Sequence, residues 1–187
     1  RLSSANTQIP EVQILSNGNF STMITNSGGG YIKYRDIAIS RWRQDTVRDD
    51  WGLCLYVQNL NSNNFWSATH MPCGGRTERY SVEFETDRVT FMRRNGNLDT
   101  RTDIVVSPTQ DIEIRRLTIK NRSMYRRVVD VTSYFELVIA PLISDIAHRA
   151  FSNLFIVTEF LPEYNTLIAH RRSGANISSD TWVIHTV

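Results

Sequence analysis

Between Val129 and Ile139 the chain alternates in strict period two. Val129, Val131, Ser133, Phe135, Leu137 and Ile139 fall on one side, and Asp130, Thr132, Tyr134 and Glu136 on the other. This period belongs to a half-buried strand, because successive side chains of an extended backbone point to opposite faces. The run predicts one strand of about a dozen residues, roughly twice the usual length of about five or six. Strands of that reach need a wide sheet with a broad apolar underside. A helical fold is excluded for this part of the chain.

The neighbouring segments carry the same signature. "DIEIRRLTIK" sets Ile112 and Ile114 in one phase and Leu117 and Ile119 in the other, which predicts a β-bulge near Arg115-Arg116. Asn121 to Ser123 reads as the turn that follows. Asn95-Gly96 separates two alternating runs, and this dipeptide is a strong hairpin signal because both residues accept positive φ. "YSVEFETDRVTF" reads as a strand pair turning at Thr86-Asp87. One weak helical signal spans Ser144 to Phe151, with Ser144 or Asp145 as its N-cap. The predicted class is all-β, a large antiparallel β-sandwich with at most one short helix, formed by residues 1–187 as a single domain.

Composition narrows the function classes. No apolar run approaches the ~18 residues of a membrane span, and "LVIAPLI" is representative of the longest. The first residue is Arg1 rather than Met, so the chain reads as an excised part of something larger. Net charge is +2, and of the 21 basic residues only Lys33 and Lys120 are lysines. The arginines lie scattered among acids instead of forming one basic face, which speaks against nucleic acid. They read as solvated strand faces, with a minority available as forks for hydroxyl-rich ligands. Cys54 and Cys73 have no metal-ligand spacing, and their pairing as a disulfide stays open.

Two constellations carry chemical possibilities. "SRWRQDTVRDDWG" gathers Arg41, Arg43, Arg48, Asp45, Asp49, Asp50, Trp42 and Trp51 within a short loop. Indole planes flanked by carboxylates and guanidinium forks suit sugars, while an internally salt-bridged loop with core tryptophans accounts for the same residues. "NNFWSATHMPCGG" places Phe65, Trp66 and His70 near a Pro-Gly-rich loop, where His70 serves as proton carrier or as structural residue. Gly28, Gly29 and Gly30 run straight into a strand. A glycine triplet means either a backbone at positive φ or a close approach by something large. No nucleophile elbow, P-loop or dinucleotide fingerprint is present in the sequence.

The order "VQILSNGNFSTMITNSGGGYIKYRDIAISRWRQDTVRDDWG", "WSATHMP" and "FSNLFIVTEF" closely resembles the N-terminal β-sandwich of the glycoside hydrolase family 94 module, a galactose-mutarotase-like supersandwich, in the form carried by bacterial cyclic β-1,2-glucan synthases. The likeness runs from about Pro10 to Val187. Ile32, Lys33 and Tyr34 depart from the family pattern after the glycines, as does Arg149 after His148.

This resemblance implies a non-catalytic domain, inactive alone, that a helical linker joins to an (α/α)6 barrel of the same polypeptide. The barrel would carry the catalytic acid of an inverting phosphorolysis and bind inorganic phosphate. A synthase parent would also use UDP-glucose elsewhere, on the cytoplasmic side of an inner membrane that anchors it through other domains. The chain itself needs no cofactor or metal on this reading. Its partners would be the barrel and a β-glucan oligosaccharide, with self-association left open. The substrate-edge residues would be Gly28, Gly29, Gly30, Arg41, Arg43, Asp45, Arg48, Asp50, Trp51, Trp66 and His70. Two alternatives compete with it. One is a free-standing carbohydrate-binding module for β-glucan. The other is a sugar isomerase, for which Glu136 with His148 is the available His–Glu pairing.

Overall fold

Asn95-Gly96 does reverse the chain. In the computed structural model, which describes residues 1–45, 47–147, 149–172 and 181–187, β8 (Val89–Asn95) and β9 (Leu98–Val106) pair antiparallel with Asn95 opposite Leu98, and Gly96 sits at φ +56°. The predicted pair at Thr86-Asp87 is also present, as β7 (Arg79–Phe84) against β8. β10 (Glu113–Asn121) completes a four-stranded sheet of order β10-β9-β8-β7.

The expected bulge at Arg115-Arg116 is absent. The β10–β9 register runs unbroken from Glu113 opposite Val106 to Asn121 opposite Leu98. Arg115 takes an inward position that the pattern reserves for an apolar residue, so the apparent change of phase disappears. It is satisfied there: its Nε donates to Glu113 and its Nη1 to the Leu53 carbonyl, each at 2.5 Å. Ile114 faces outward instead and is exposed.

The facing layer begins with β1 (Val12–Ser16), β2 (Phe20–Thr25), β3 (Gly30–Tyr34) and β4 (Ile37–Ser40). They form a meander that β12 (Leu137–Pro141) extends at the β4 edge. Leu15 and Ile24 of this sheet pack on Tyr80, Val82, Val89, Phe91 and Ile104 of the first, the central core cluster. Burying each large side chain there contributes about 1.5–3 kcal/mol. β5 (Cys54–Asn59), β6 (Asn64–Ser67) and β11 (Val129–Tyr134) form a three-stranded sheet. Its Val57 and Trp66 pack with Ala68 on Leu98, Leu117 and Ile119. The all-β sandwich architecture is thus the one the alternation predicts.

The long strand of Val129–Ile139 is divided in two. β11 pairs with β5 and β12 with β4, so the chain leaves one sheet and enters another at Phe135-Glu136. The register of β12 then shifts between Leu137 and Ala140. Ile139, fully buried, stands at φ +48°, an outlier for a β-branched residue. Alternation reports an extended backbone and is silent about which partner the strand pairs with.

The weak helical signal is met by helical turns at α1 (Leu142–Ala147) and α2 (Arg149–Asn153), which flank residue 148, outside the described residues. Asp145 lies inside the first turn of α1, buried, rather than capping it. A fourth antiparallel sheet follows, with β13 (Ile156–Leu161), β14 (Thr166–Arg171) and β15 (Trp182–Thr186) in that order. Val183 ties it to the core through the Phe20, Ile32 and Ile39 cluster. Arg171 reaches the Val138 carbonyl at 3.1 Å and the Ser152 hydroxyl at 3.2 Å. Sheet, strand β12 and helices are joined by that guanidinium.

Candidate functional site

The glycine triplet is answered from within the chain. Gly28 and Gly29 close the β2–β3 turn: the Gly28 N–H donates to the Thr25 carbonyl at 3.1 Å, and the Thr25 N–H to the Gly29 carbonyl at 2.9 Å. Gly28 sits at φ +104°, a conformation that favours glycine. A Cβ on it would lie inside contact distance of the Thr69 side chain, 2.7 Å from Cγ2. One on Gly29 would meet the Asp49 carboxylate and stand 2.8 Å from the Asp49 carbonyl oxygen. One on Gly30 would meet the Met23 carbonyl of the neighbouring strand. All three glycines are buried. The close approach is made by the loops around Asp49 and Thr69, so no barrel or glucan is needed to account for the glycines.

Those loops are held by side chains that converge on the turn. Asp49 accepts hydrogen bonds from the Thr25 and Ser27 hydroxyls. The Gly30 N–H donates to the Trp51 carbonyl at 2.9 Å. The Met71 N–H donates to the Ser27 carbonyl at 2.9 Å, and Tyr80 Oη to the Asn26 carbonyl at 2.7 Å. Arg93, buried, gives Nη1 to the Ser67 and Thr69 carbonyls and Nη2 to the Gly74 carbonyl at 3.0 Å. Asp49 was read in the sequence only as one charge of the 41–52 loop, and Thr69 and Arg93 were not singled out there. The signal for Arg93 was present, because it continues the inward phase of Val89 and Phe91.

Arg41 is the centre of a second, deeper network. It is 1% exposed, and it grips Asp145 with two prongs, Nε to Oδ2 at 2.9 Å and Nη2 to Oδ1 at 2.7 Å. Nη1 pairs with Glu136, and Nη2 also donates to Asn153 Oδ1 at 2.6 Å. The Arg41 N–H donates to the Glu136 carbonyl at 2.8 Å. Arg43 adds a longer contact to Asp145 at 3.8 Å. One guanidinium therefore locks the start of the loop, the break between β11 and β12, and both helices. Burial works against the charge of Asp145, yet the bonds and charge of Arg41 outweigh it and hold the carboxyl below its ordinary range.

The sequence profile of the family described as "Glycosyl hydrolase 94, supersandwich domain" matches residues 1–187. The chain belongs to this family. It is 30% identical over 177 residues to the cyclic beta-(1,2)-glucan synthase NdvB of Rhizobium meliloti (strain 1021), covering 95% of this chain and 6% of that protein. It is 23% identical over 158 residues to the N,N'-diacetylchitobiose phosphorylase of Vibrio proteolyticus, covering 82% of this chain and 20% of that enzyme. The Vibrio furnissii phosphorylase gives 22% over 160 residues, with 81% and 20% covered. The chain thus spans a fifth or less of these relatives.

On this supersandwich the residues picked out from the sequence divide into three sets. Gly28, Gly29, Gly30, Arg41 and Arg43 are framework. Asp45 holds its own turn, accepting from the Val47 and Arg48 N–H groups at 2.8 and 3.1 Å, and these bonds lower its pKa. Arg48 is exposed. His70 meets Tyr80 edge to face at 5.9 Å, and burial followed by the charge of Arg93 lowers its pKa, favouring the neutral ring. Asp50 and Trp51 line a cleft of about 290 Å³ with Gly52, Tyr134 and Glu136. Trp66 stands apart, on another groove. His148 lies outside the described residues, and Glu136 is engaged by Arg41. Cys54 and Cys73 are both free, and burial pushes the Cys54 thiol up to about 11. Among the described residues no cluster of His, Cys, Asp and Glu side chains could hold a metal ion.

The carboxylates predict an acid limb. For Asp103 burial raises the pKa, but hydrogen bonds from Arg101, Arg116 and Thr90 outweigh it and bring it to about 2. Arg94 and then Arg122 bring Asp99 to about 2 as well. A lowered folded value means stability that is complete above the unfolded value of 3.8 and is lost as pH falls towards 2. Thermal unfolding between pH 5 and 2 should therefore show a steep fall below about 4. Asp103→Asn should flatten it while lowering stability at pH 7.

Proposed function

We propose that this supersandwich is the non-catalytic part of an enzyme acting on β-glucosides, that it carries the (α/α)6 catalytic barrel of the same polypeptide, and that it borders the substrate. The observation that supports the reading most directly is an apolar outer surface on the helices and the last sheet. Ile143 and Ile146, one turn apart on α1, are exposed, as are Leu154 and, on β15, Trp182 and Ile184. The register sets Trp182 beside His170 and Val157, and Ile184 beside Ile168 and Glu159, on one face. Large apolar side chains exposed on neighbouring elements of the chain are what an interaction surface supplies, and the relatives are several times longer than this chain.

The charged groups of the 41–52 loop support the non-catalytic side. Arg41, Asp145 and Asp49 are spent on internal bonds, which leaves the cleft at Asp50 and Trp51 as the substrate edge. Inorganic phosphate, and UDP-glucose for a synthase, would be used elsewhere in the polypeptide. Two free thiols agree with a cytoplasmic location.

Placing two carboxylates in the apolar contact tests this. In the full-length polypeptide, Ile143→Asp with Ile146→Asp should lower phosphorolysis of β-glucosides at least tenfold, read as sugar 1-phosphate formed. The circular dichroism of residues 1–187 should not change, since both positions are exposed. Undiminished turnover in a folded protein would remove the docking role. Turnover by residues 1–187 alone would remove the non-catalytic one.

A further inference from the structure

A groove of about 570 Å³ opens between the β5–β6 and β8–β9 turns, lined by no residue of the glycine turn or of the 41–52 loop. Its volume falls within the ~300–1,000 Å³ of small-molecule sites. The walls are held in place. Asn63, at φ +54°, accepts from Gln58 Nε2 at 3.0 Å. Both oxygens of Glu78 accept from the Gly96 N–H, at 3.1 and 3.0 Å. Asn61 Oδ1 accepts from the Val128 N–H at 2.8 Å, which fixes the segment that brings in Arg127.

Part of what faces the groove has no task inside the fold. Phe65 is 65% exposed on edge strand β6, where its ring does nothing for the core that Trp66 serves. Asn64, Asn97, Arg76 and Arg127 also line it, and among the described residues their side chains make no hydrogen bond or ion pair. Trp66 is buried against the groove, and among the described residues its indole N–H finds no acceptor.

We propose that this groove binds an oligosaccharide, with Phe65 as the stacking platform and Asn64, Asn97, Arg76 and Arg127 as hydroxyl ligands. A carboxamide both donates and accepts, which matches a hydroxyl that does the same, and a guanidinium fork spans vicinal oxygens. A flat apolar ring matches the C–H face of a pyranose. An anion would use the two guanidiniums and leave the ring and the amides without a role. The site stands on its own chemistry and does not depend on the docking of a barrel.

Calorimetric titration of the full-length protein with linear β-1,2-linked gluco-oligosaccharides tests it. The isotherm should contain one site beyond the catalytic one, with millimolar or tighter affinity. Phe65→Ala should weaken that site at least tenfold, and Asn64→Ala with Asn97→Ala should do the same. Their melting temperatures should stay near that of the parent, because all three positions are exposed. Ile114→Ser, at the opposite end of β10 from Asn121, should keep both sites. A single-site isotherm that these substitutions leave unchanged overturns the proposal, as does a second site that takes inorganic phosphate in place of the oligosaccharide. Failure of the family-level reading would look different: the catalytic site would be missing in every variant while the Phe65-dependent one persisted.

Discussion

Arg41→Met should cost about 3–5 kcal/mol of stability, the range for breaking a buried pair from one side. The loss comes from Asp145, which is as buried as Arg41, at 1% exposure. Without the two-pronged grip its charge is left in the interior with Arg43 as a distant counter-ion at 3.8 Å. The carboxyl would then take up a proton, and its pKa would rise instead of lying below the usual range. At about 2–4 °C per kcal/mol for a domain of this size, the melting temperature should fall by roughly 6–20 °C. Arg41→Lys keeps the charge but not the fork, so it should fall between parent and Met variant. The decisive comparison adds Asp145→Leu to Arg41→Met. If the penalty is that of an orphaned charge, the double variant should recover much of the lost stability, because a buried pair replaced by apolar groups is often neutral. A double variant as unstable as the sum of the single changes would show that the network acts through its shape. The changed residues lie at the junction of β12, α1 and α2, so loss of helical signal should precede loss of the sheets.

What was legible in the sequence was whatever is local. Hairpins at Asn95-Gly96 and at Thr86-Asp87 need only their own residues, and both form as read. The inward phase of Val82, Val89, Phe91 and Ile104 likewise gives the main core. The failures were all non-local. Phe135-Glu136 continues the alternation of its neighbours, and only the position of β4 and β5 decides that the chain changes sheets there. Arg115 broke the alternation on paper, yet a carboxylate on its own strand and the Leu53 carbonyl make its inward position affordable.

The candidate site shows the same division. Arg41 and Asp145 are 104 residues apart, and nothing in either segment points to the other. Arg41 was picked out for sugars because guanidinium and indole groups cluster around it in sequence. In the fold that guanidinium turns inward, while Asp50 and Trp51 remain at a cleft. Phe65 and Trp66 stood out in the sequence, but the groove they share with the β8–β9 turn did not, because its asparagines come from two turns more than 30 residues apart. Taken singly, each is an ordinary turn residue.

Gly30→Ala should be the most damaging single change in the glycine turn. The new methyl would enter the Met23 carbonyl and stand 2.8 Å from its carbon. That carbonyl is backbone of the paired strand, since Met23 lies opposite Tyr31 and Ile24 opposite Gly30, so it cannot swing aside as a side chain can. Relief requires β2 and β3 to part at the point where the Gly30 N–H holds the Trp51 carbonyl, and the loop bearing Asp50 and Trp51 would be released with them. A cost of more than about 4 kcal/mol belongs to the exceptional class of point mutations, and failure to accumulate as folded protein is the expected phenotype. Gly29→Ala makes the informative contrast. Its methyl meets first the Asp49 carboxylate, which can withdraw at the loss of its bonds from Thr25 and Ser27, and then the Asp49 carbonyl oxygen at 2.8 Å, so the 41–52 loop must shift with it. That change should cost about 1–3 kcal/mol, the penalty for buried polar groups left unpaired. In the full-length polypeptide it should disturb the Asp50–Trp51 cleft without unfolding the sandwich. Turnover lost in Gly29→Ala, in a protein that still folds with its melting temperature lowered by roughly 2–12 °C, would tie the cleft to the substrate. Parental turnover there, with Gly30→Ala alone failing to fold, would confine the triplet to holding the hairpin together.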